Sequence, residues 1–287
     1  MLAQTQGHLE DMNGCLESWG KALIHGAFLP KGDQARFLLE RAVVFEKQGR
    51  LSDALNDTMK AVQLDSSPLV RMARVRALAR AGNFLEGERE QRQLLTEMAS
   101  QGKPIPGLAI LLHADLLQDL GRESESKHLV DQIILANESR DGGVQTISLV
   151  PPPQNHAELE GNEPGKPGEI TAQVEISDQD IPQARLRRGV ARVRHWESSQ
   201  NHAPDKRELK LVLEDLRAAQ ENKLADPLPL TLQANLALGE LKILLGKPKE
   251  AFIAFSQAAR LDRRSARALV GRAQARLVLD QGRMALE

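Results

Sequence analysis

Residues 46–65 read EKQGRLSDALNDTMKAVQLD. Gly49 is followed by Ala54 five residues later and by Ala61 seven after that, in otherwise charged surroundings. Both flanks of the glycine have helical period: Leu38, Ala42 and Phe45 share one face of ARFLLERAVVFEKQG, and Leu51, Ala54, Ala61 and Leu64 share one face of LSDALNDTMKAVQL. Gly49 is expected to stop the first helix and Ser52 to cap the second. Two short antiparallel helices cannot bury both apolar faces by themselves, so the hairpin needs neighbours.

The neighbours are legible once further segments are aligned on their turn glycines. These are Gly82 in LVRMARVRALARAGNFLEGEREQRQLL, Gly121 in GLAILLHADLLQDLGRESESKHLVDQII and Gly246 in LQANLALGELKILLGKPKEAFIAFSQAARLD. Pro248 then falls early in a second helix, where its missing N–H costs nothing. The alignment brings Ala42, Val75, Ala114, Gly239 and Ala273 to one position of the first helix. Successive spacings are 33 and 39 for the first three and 34 for the last two. Small residues recur where two helix axes cross closely.

With these residues in place the chain resembles the tetratricopeptide repeat family, whose helix–turn–helix unit of about 34 residues carries a W-x2-L-G-x2-Y…A-x3-F…P pattern. The fit is best over 232–262, with Leu238-Gly239, Ala251, Phe255, Ala258 and Asp262. The copy at 35–65 departs at Thr58 and Ser66, and in the copies at 68–98 and 107–136 Gly87 and Ser126 replace the first alanine of the second helix. A further copy in 182–224 holds Gly189, Val212, Leu216 and Ala219, with an insertion of 11 residues around SSQNHAPDKREL. At the N-terminal end QGHLEDMNGCLESWGKAL resembles a second helix, and residues 266–281 read as a first helix, with QGRMALE where a second helix would begin. The resemblance implies an all-α, right-handed solenoid of helix–turn–helix repeats in two halves, residues 1–139 and 182–287.

Residues 140–181 separate the halves. Three consecutive prolines, five glycines and two basic against eight acidic residues read as a long, flexible acidic linker. Within it QTISLV and EITAQVEI alternate apolar and polar residues, the period of a strand.

Composition agrees with stacked helices. Aromatic residues make up 3% of the 287, with no tyrosine and only Trp19 and Trp196 as tryptophans, so packing falls to Leu, Ala and Val. The net charge of −1 provides no global field towards nucleic acid or anionic membrane. Cys15 is the single cysteine, which excludes an intrachain disulfide and a multi-cysteine zinc site. There is no secretory signal pattern and no run of ~18 apolar residues, so a cytoplasmic-type protein without membrane contact is expected.

No catalytic or cofactor constellation is visible. None of the seven histidines forms an H-E-x-x-H pattern, and His195 and His202 lack a nearby carboxylate pair. EGNEPGKPGE has the wrong glycine spacing for a phosphate loop, and Pro167 occupies the Ser/Thr position. Cys15 reads as a small residue of a second helix. Glu86/Arg89 and Glu214/Arg217 read as surface pairs. Two arginine-rich stretches, Arg185–Arg194 and Arg260–Arg276, are the only feature that suits RNA, and aromatic side chains for stacking are scarce beside them.

In the family, first helices line a concave surface that holds a peptide or another protein. The position three before the crossing residue holds Leu39, Met72, Leu111, Leu186, Leu236 and Val270, an expected apolar floor. The position one after holds Val43, Arg76, Asp115, Val190, Glu240 and Gln274, and four further on lie Lys47, Arg80, Asp119, Arg194, Leu244 and Val278, the expected walls. The Lys/Asn/Arg carboxylate clamp of chaperone-binding members is missing, because the matching positions hold Leu39, Val43, Arg76, Leu108 and Leu112. The expectation is a non-catalytic scaffold binding a protein segment, with no cofactor, metal or small-molecule substrate. Two alternatives stay open: a regulatory or substrate-docking region of a larger enzyme, and an RNA-contacting repeat protein.

Overall fold

The computed structural model describes residues 12–138, 145–149, 171–198, 205–221 and 228–284. Twelve α-helices among them alternate as first and second members of pairs. They are α1 (Met12–His25), α2 (Lys31–Lys47), α3 (Leu51–Leu64), α4 (Pro68–Arg80), α5 (Phe84–Ser100), α6 (Gly107–Asp119) and α7 (Glu123–Glu138). After them come α8 (Asp180–Ser198), α9 (Lys206–Gln220), α10 (Leu228–Leu244), α11 (Pro248–Leu261) and α12 (Ala266–Met284). The described residues fall into two compact units, 12–126 with 148–149 and 171–174, and 127–138, 145–147 with 175–284.

In the first unit α2 packs on α3 and α4 on α5, while α2 also touches α4 and α4 touches α6. In the second, α8 packs on α9, α10 on α11, and α11 on α12, while α8 touches α10 and α10 touches α12. Within each unit, first helices thus meet both their own partners and neighbouring first helices, which is the contact pattern of a solenoid.

The turn inside a pair is made the same way four times. Gly49, Gly82, Gly121 and Gly246 have φ of 73°, 79°, 76° and 64°, a region that a side chain disfavours. The following residue's N–H reaches back across the helix end: Arg50 donates to the Phe45 carbonyl at 2.9 Å, Asn83 to Leu78 at 2.9 Å, Arg122 to Leu117 at 2.8 Å and Lys247 to Lys242 at 2.8 Å. This 6→1 bond is the Schellman closure. It hands the chain directly to the next helix, so α3 begins at Leu51 with Arg50 as its cap. Ser52 therefore lies inside the first turn and is not the cap that the sequence suggests. Pro248 does occupy the first turn of α11.

The last helix, read from the sequence as residues 266–281, runs on to Met284. Most of the 140–181 segment, residues 140–144 and 150–170, lies outside the described residues. Its described parts contain strand: β2 (Gln145–Ser148) and β3 (Thr171–Glu175). The alternation seen in the sequence is the cause, since Ala172 and Val174 turn inward while Thr171, Gln173 and Glu175 face out. In the first unit β3 lies beside β1 (Ile105–Pro106).

The core follows the small residues. Ala42, Val75, Ala114 and Gly239 are buried at the crossings, whereas Ala273, aligned with them in the sequence, is exposed, and Ala268, Gly271 and Ala275 take the buried side of α12. In the second unit the Phe255 ring lies between α10 and α12: a Cβ added at Gly239 would come within 2.6 Å of it, and one at Gly271 within 2.4 Å. A Cβ at Gly189 would meet Leu216 at 2.8 Å. The N-terminal pair closes around Cys15, Trp19 and Val44, with the Trp19 and Phe37 rings 5.4 Å apart.

These contacts predict that Gly239→Ala and Gly271→Ala each lower stability by about 1–3 kcal/mol, because the ring must shift in a filled core. Gly32→Ala has nothing within 4 Å of the new methyl. It is expected to be neutral or stabilising by up to ~1 kcal/mol through helix propensity. Urea unfolding of the three variants checks both directions.

Candidate functional site

The expected floor is packed away. Met72, Leu111, Leu186 and Leu236 are buried, and Leu39 is half-buried against Ala35, Leu38, Ala61 and Val70. These side chains join helices to one another and offer no surface to a ligand; Val270 alone of the six is well exposed. The physical reason is the close crossing, since large residues flanking a small one must fill the space beside it. The walls do reach solvent. Val43, Lys47, Arg76, Arg80, Asp119, Arg194 and Leu244 are exposed, and Asp115 and Glu240 are half-buried.

In each unit some of these wall residues meet across successive first helices. In the first unit Arg80 of α4 pairs with Glu46 of α2, with Arg76 beside them. Packing around the Arg76 guanidinium, and then the positive Arg80, hold its pKa below the ordinary arginine value; Glu46 opposes this incompletely. Two cations share one carboxylate here. In the second unit Arg267 of α12 grips Glu240 of α10 with two bonds of 2.7 Å. Glu197 of α8 belongs to the same group: partial burial, then Glu240, raise its pKa, against Arg267 and Arg194. Glu46, Glu197 and Arg267 escape the sequence reading because they lie outside the two rows followed there, at four and eight residues after and six before their crossing positions.

A second charged pattern also escapes it. Arg41 holds Asp57 through bonds of 2.6 and 2.7 Å, Arg74 holds Glu90 at 2.9 Å, and Arg188 holds Asp215 at 2.7 and 2.8 Å. Each arginine immediately precedes a crossing residue, and each carboxylate lies on the second helix of the same pair. The separations are 16, 16 and 27 residues. The last exceeds the others by the 11 residues inserted in that copy, so it is the same contact. In the pair α10–α11 the equivalent positions are Leu238 and Ala254, both buried and apolar.

In the pair α6–α7 the arginine position holds His113, which is buried beside Glu88 of α5, Nε2 to Oε1 3.9 Å. Glu88 also pairs with Arg92 and, at 3.2 Å, with Arg122; Arg122 in turn binds Glu125 at 2.6 Å. His113 Nδ1 is buried without a hydrogen-bond partner. Burial pushes the His113 pKa down to about 4, outweighing the attraction of Glu88, with Arg92 and Arg122 adding to the shift.

Several expected pairings and sites resolve differently. Glu86 binds Arg74 at 2.9 Å and Glu214 faces Lys210 at 3.8 Å, in place of Arg89 and Arg217. The arginine-rich stretches are partly occupied within the protein, since Arg188 and Arg192 face Asp215, Arg188 also faces Asp131, and Arg267 faces Glu240. Among the described residues no group of three or more His, Cys, Asp or Glu is placed to hold a metal ion. A depression of about 370 Å³ runs along α5, lined by Arg89, Arg92, Gln93, Thr96, Glu97 and Ser100 of that one helix. Among the described residues no helix is long and apolar enough to cross a membrane.

No family model matches the sequence, and no curated protein does. Solved structures do match. The apo form of the quorum sensor NprR from B. thuringiensis is similar over 95% of this chain and 66% of its own, at 11% identity and a TM-score of 0.54. Naa15/Naa10 bound to HypK-THB matches 99% of this chain and 43% of its own, at 16% identity and 0.49. A tetratricopeptide repeat protein from Parabacteroides merdae matches 95% of each chain, at 12% identity and 0.46. At these identities the likeness is one of fold, and only the first score is high enough to argue from. Paired helices on left-handed glycine turns, buried small residues at Ala42, Val75, Ala114 and Gly239, and contact between first helices within each unit complete the case. The fold is of the tetratricopeptide-repeat type.

Two predictions follow from the charged patterns. Arg41→Leu alone should cost about 3 kcal/mol, because it strands the buried Asp57 carboxylate. The double variant Arg41→Leu/Asp57→Ala recreates the Leu238/Ala254 arrangement and should recover most of that loss, read by urea unfolding as a double-mutant cycle.

His113 generates a pH dependence. With its folded pKa below the usual 6.5, the unfolded chain binds the proton first, so stability is full above pH ~6.5 and falls as pH drops towards 4. The fall is about 1.4 kcal/mol per pH unit from this group. His113→Gln should flatten the stability profile between those values relative to the parent; an unchanged slope would show that His113 is not responsible.

Proposed function

We propose that the protein is a non-catalytic scaffold that holds a segment of another protein against the faces of its first helices. The observation carrying this reading is that charged side chains of successive first helices meet at solvent with their charges incompletely balanced, as at Arg76, Arg80 and Glu46. A carboxylate on a bound segment would supply the missing counter-charge to Arg76. Val43 and Lys47, exposed on the adjoining α2, give the segment's apolar and acidic side chains further contacts. Recognition through walls of this kind is polar, fast in association and salt-sensitive. The buried arginine–carboxylate pairs supply a rigid frame for those walls.

The test uses the tagged full chain as bait. Val43→Glu/Arg76→Glu alters two exposed wall residues, and Lys60→Glu alters an exposed residue of the second helix α3. Partner capture should fall at least about tenfold for the wall variant, the scale of a lost interface hot spot, and stay level for Lys60→Glu. Equal capture by both variants, with unchanged unfolding curves, would remove the first-helix face from the binding mechanism.

A further inference from the structure

The helix α4 is an inner first helix of its unit, with α2 touching it on one side and α6 on the other. At 100° per residue, Leu69, Ala73, Arg76 and Arg80 fall within about 60° of one another on its surface. Leu69 is 69% exposed, and both arginines reach solvent. The other two arginines of α4 are consumed inside the pair, Arg71 by Glu97 and Arg74 by Glu86 and Glu90.

Three cations, Lys47, Arg76 and Arg80, stand at this surface against one carboxylate, Glu46, which binds Arg80. Neither Lys47 nor Arg76 has an ion pair among the described residues. Neighbouring charges are already taken: Arg36 faces Glu40 at 4.0 Å, Arg50 binds Asp53 at 2.7 Å, and Asp115 and Asp119 of α6 are engaged. The charges acting on Arg76 are those of Arg80 and Glu46. Two positive charges are left over. A carboxylate on a ligand would answer one of them. A phosphomonoester, with about −1.5 to −2 charges and three acceptor oxygens, answers both. Arg76 and Arg80 are four residues apart, so their side chains start about 5–6 Å from each other and converge on one group. Guanidinium forks match phosphate oxygens in pairs. A phosphodiester carries a single charge per unit and matches the count less well.

We propose that the segment held by this face is phosphorylated, its phosphate bound by Arg76, Arg80 and Lys47 and an apolar side chain resting on Leu69. The inference rests on the scaffold reading above and names the chemical class of its partner. Leu69 lies seven residues before Arg76, about 10 Å along the helix axis. An extended segment covers that span in about three residues. Free phosphate would use the arginines and gain nothing from Leu69.

The probe is a labelled, alanine-rich peptide with a central phosphoserine and a leucine three residues to either side, titrated into the full chain by fluorescence anisotropy. Matched peptides carry serine or glutamate at the centre. At pH ~7.5 and low salt the phosphoserine peptide should bind at least about tenfold more tightly than either, the worth of one additional charge-assisted hydrogen bond. Arg76→Gln should remove that preference and Lys60→Glu should keep it, with circular dichroism checking that both variants retain their helices. Lowering the pH to ~5.5 converts most of the phosphate to its monoanion; it should cost the phosphoserine peptide about threefold and the glutamate peptide nothing. The helices α2, α4 and α6 carry one histidine, His113, which is buried beside Glu88. Inorganic phosphate should compete only in large excess over the peptide.

No binding, equal affinity for the phosphoserine and glutamate peptides, or a preference that survives Arg76→Gln would overturn the proposal. Competition by inorganic phosphate at the peptide's own concentration would overturn it as well and assign the site to the free ion. Tighter, Arg76-dependent binding of an oligouridylate would do the same for nucleic acid. Partner capture that depends on Val43 and Arg76 but persists after phosphatase treatment of the partner would leave the scaffold standing and remove the phosphate.

Discussion

Where neighbouring helices cross, there is room only for a small side chain, and the rest of the structure is arranged around that limit. At Gly239 and Gly271 a hydrogen is all that fits, because the Phe255 ring occupies the space from the other side. At Gly87 the opposing group is Leu116, which a Cβ would approach to 3.1 Å. Ala42, Val75 and Ala114 allow slightly more. Bringing the axes close lets aliphatic side chains interdigitate without aromatic bulk, which is how a chain with no tyrosine and 3% aromatic residues fills its core.

Close crossing creates a second requirement. Helices coated with alanine and leucine can slide along one another at small cost, since one apolar contact resembles the next. The arginine–carboxylate pairs remove that freedom. Arg41 and Asp57, Arg74 and Glu90, Arg188 and Asp215 each meet through directed bonds just beside the crossing. Such pairs add little net stability over an apolar pair of similar size, but they penalise every register in which the carboxylate is buried alone. At the α10–α11 crossing the equivalent positions are apolar and the Phe255 ring between two glycines fits by shape, while the charged link of that pair, Lys242 to Glu250, lies towards the turn. Polar direction and steric fit are alternative answers to one problem within one chain.

The fold was legible because its requirements are local. Glycines at the turns and small residues at fixed distances from them follow from backbone geometry and are visible residue by residue. Boundaries were less so: Ser52 has the chemistry of a cap, but the turn at Gly49 closes on its own backbone bonds and leaves the hydroxyl no such task. The short strands were visible only as alternation, because their burial depends on chain that is distant in sequence. The candidate site was legible in part. Position along a helix identified Arg76, Arg80 and Glu240, yet it could not say that the leucines beside the crossings are enclosed, nor that Glu46, Glu197 and Arg267 arrive from neighbouring helices. The arginine–carboxylate pairs did leave a signal in the sequence, a recurrent separation of 16 that the insertion stretches to 27, and it emerges only when charges are aligned along with the small residues.

Closing the apolar floor also shapes what recognition can use. Once the leucines are consumed by packing, any recognition on a first-helix face, as proposed above, would draw its selectivity from the charged rows that remain. Those rows are unevenly satisfied. Arg41, Arg74 and Arg188 have carboxylates of their own within the pair, whereas Arg76 shares Glu46 with Arg80 and has its charged form disfavoured by both its packing and its neighbour. The same asymmetry appears in the second unit, where Arg267 satisfies Glu240 and leaves Glu197 with a raised pKa beside it. A fold that needed these residues only for stability would gain by pairing them internally, as it does at the crossings. Under the proposed function, a ligand of matching charge would complete that pairing.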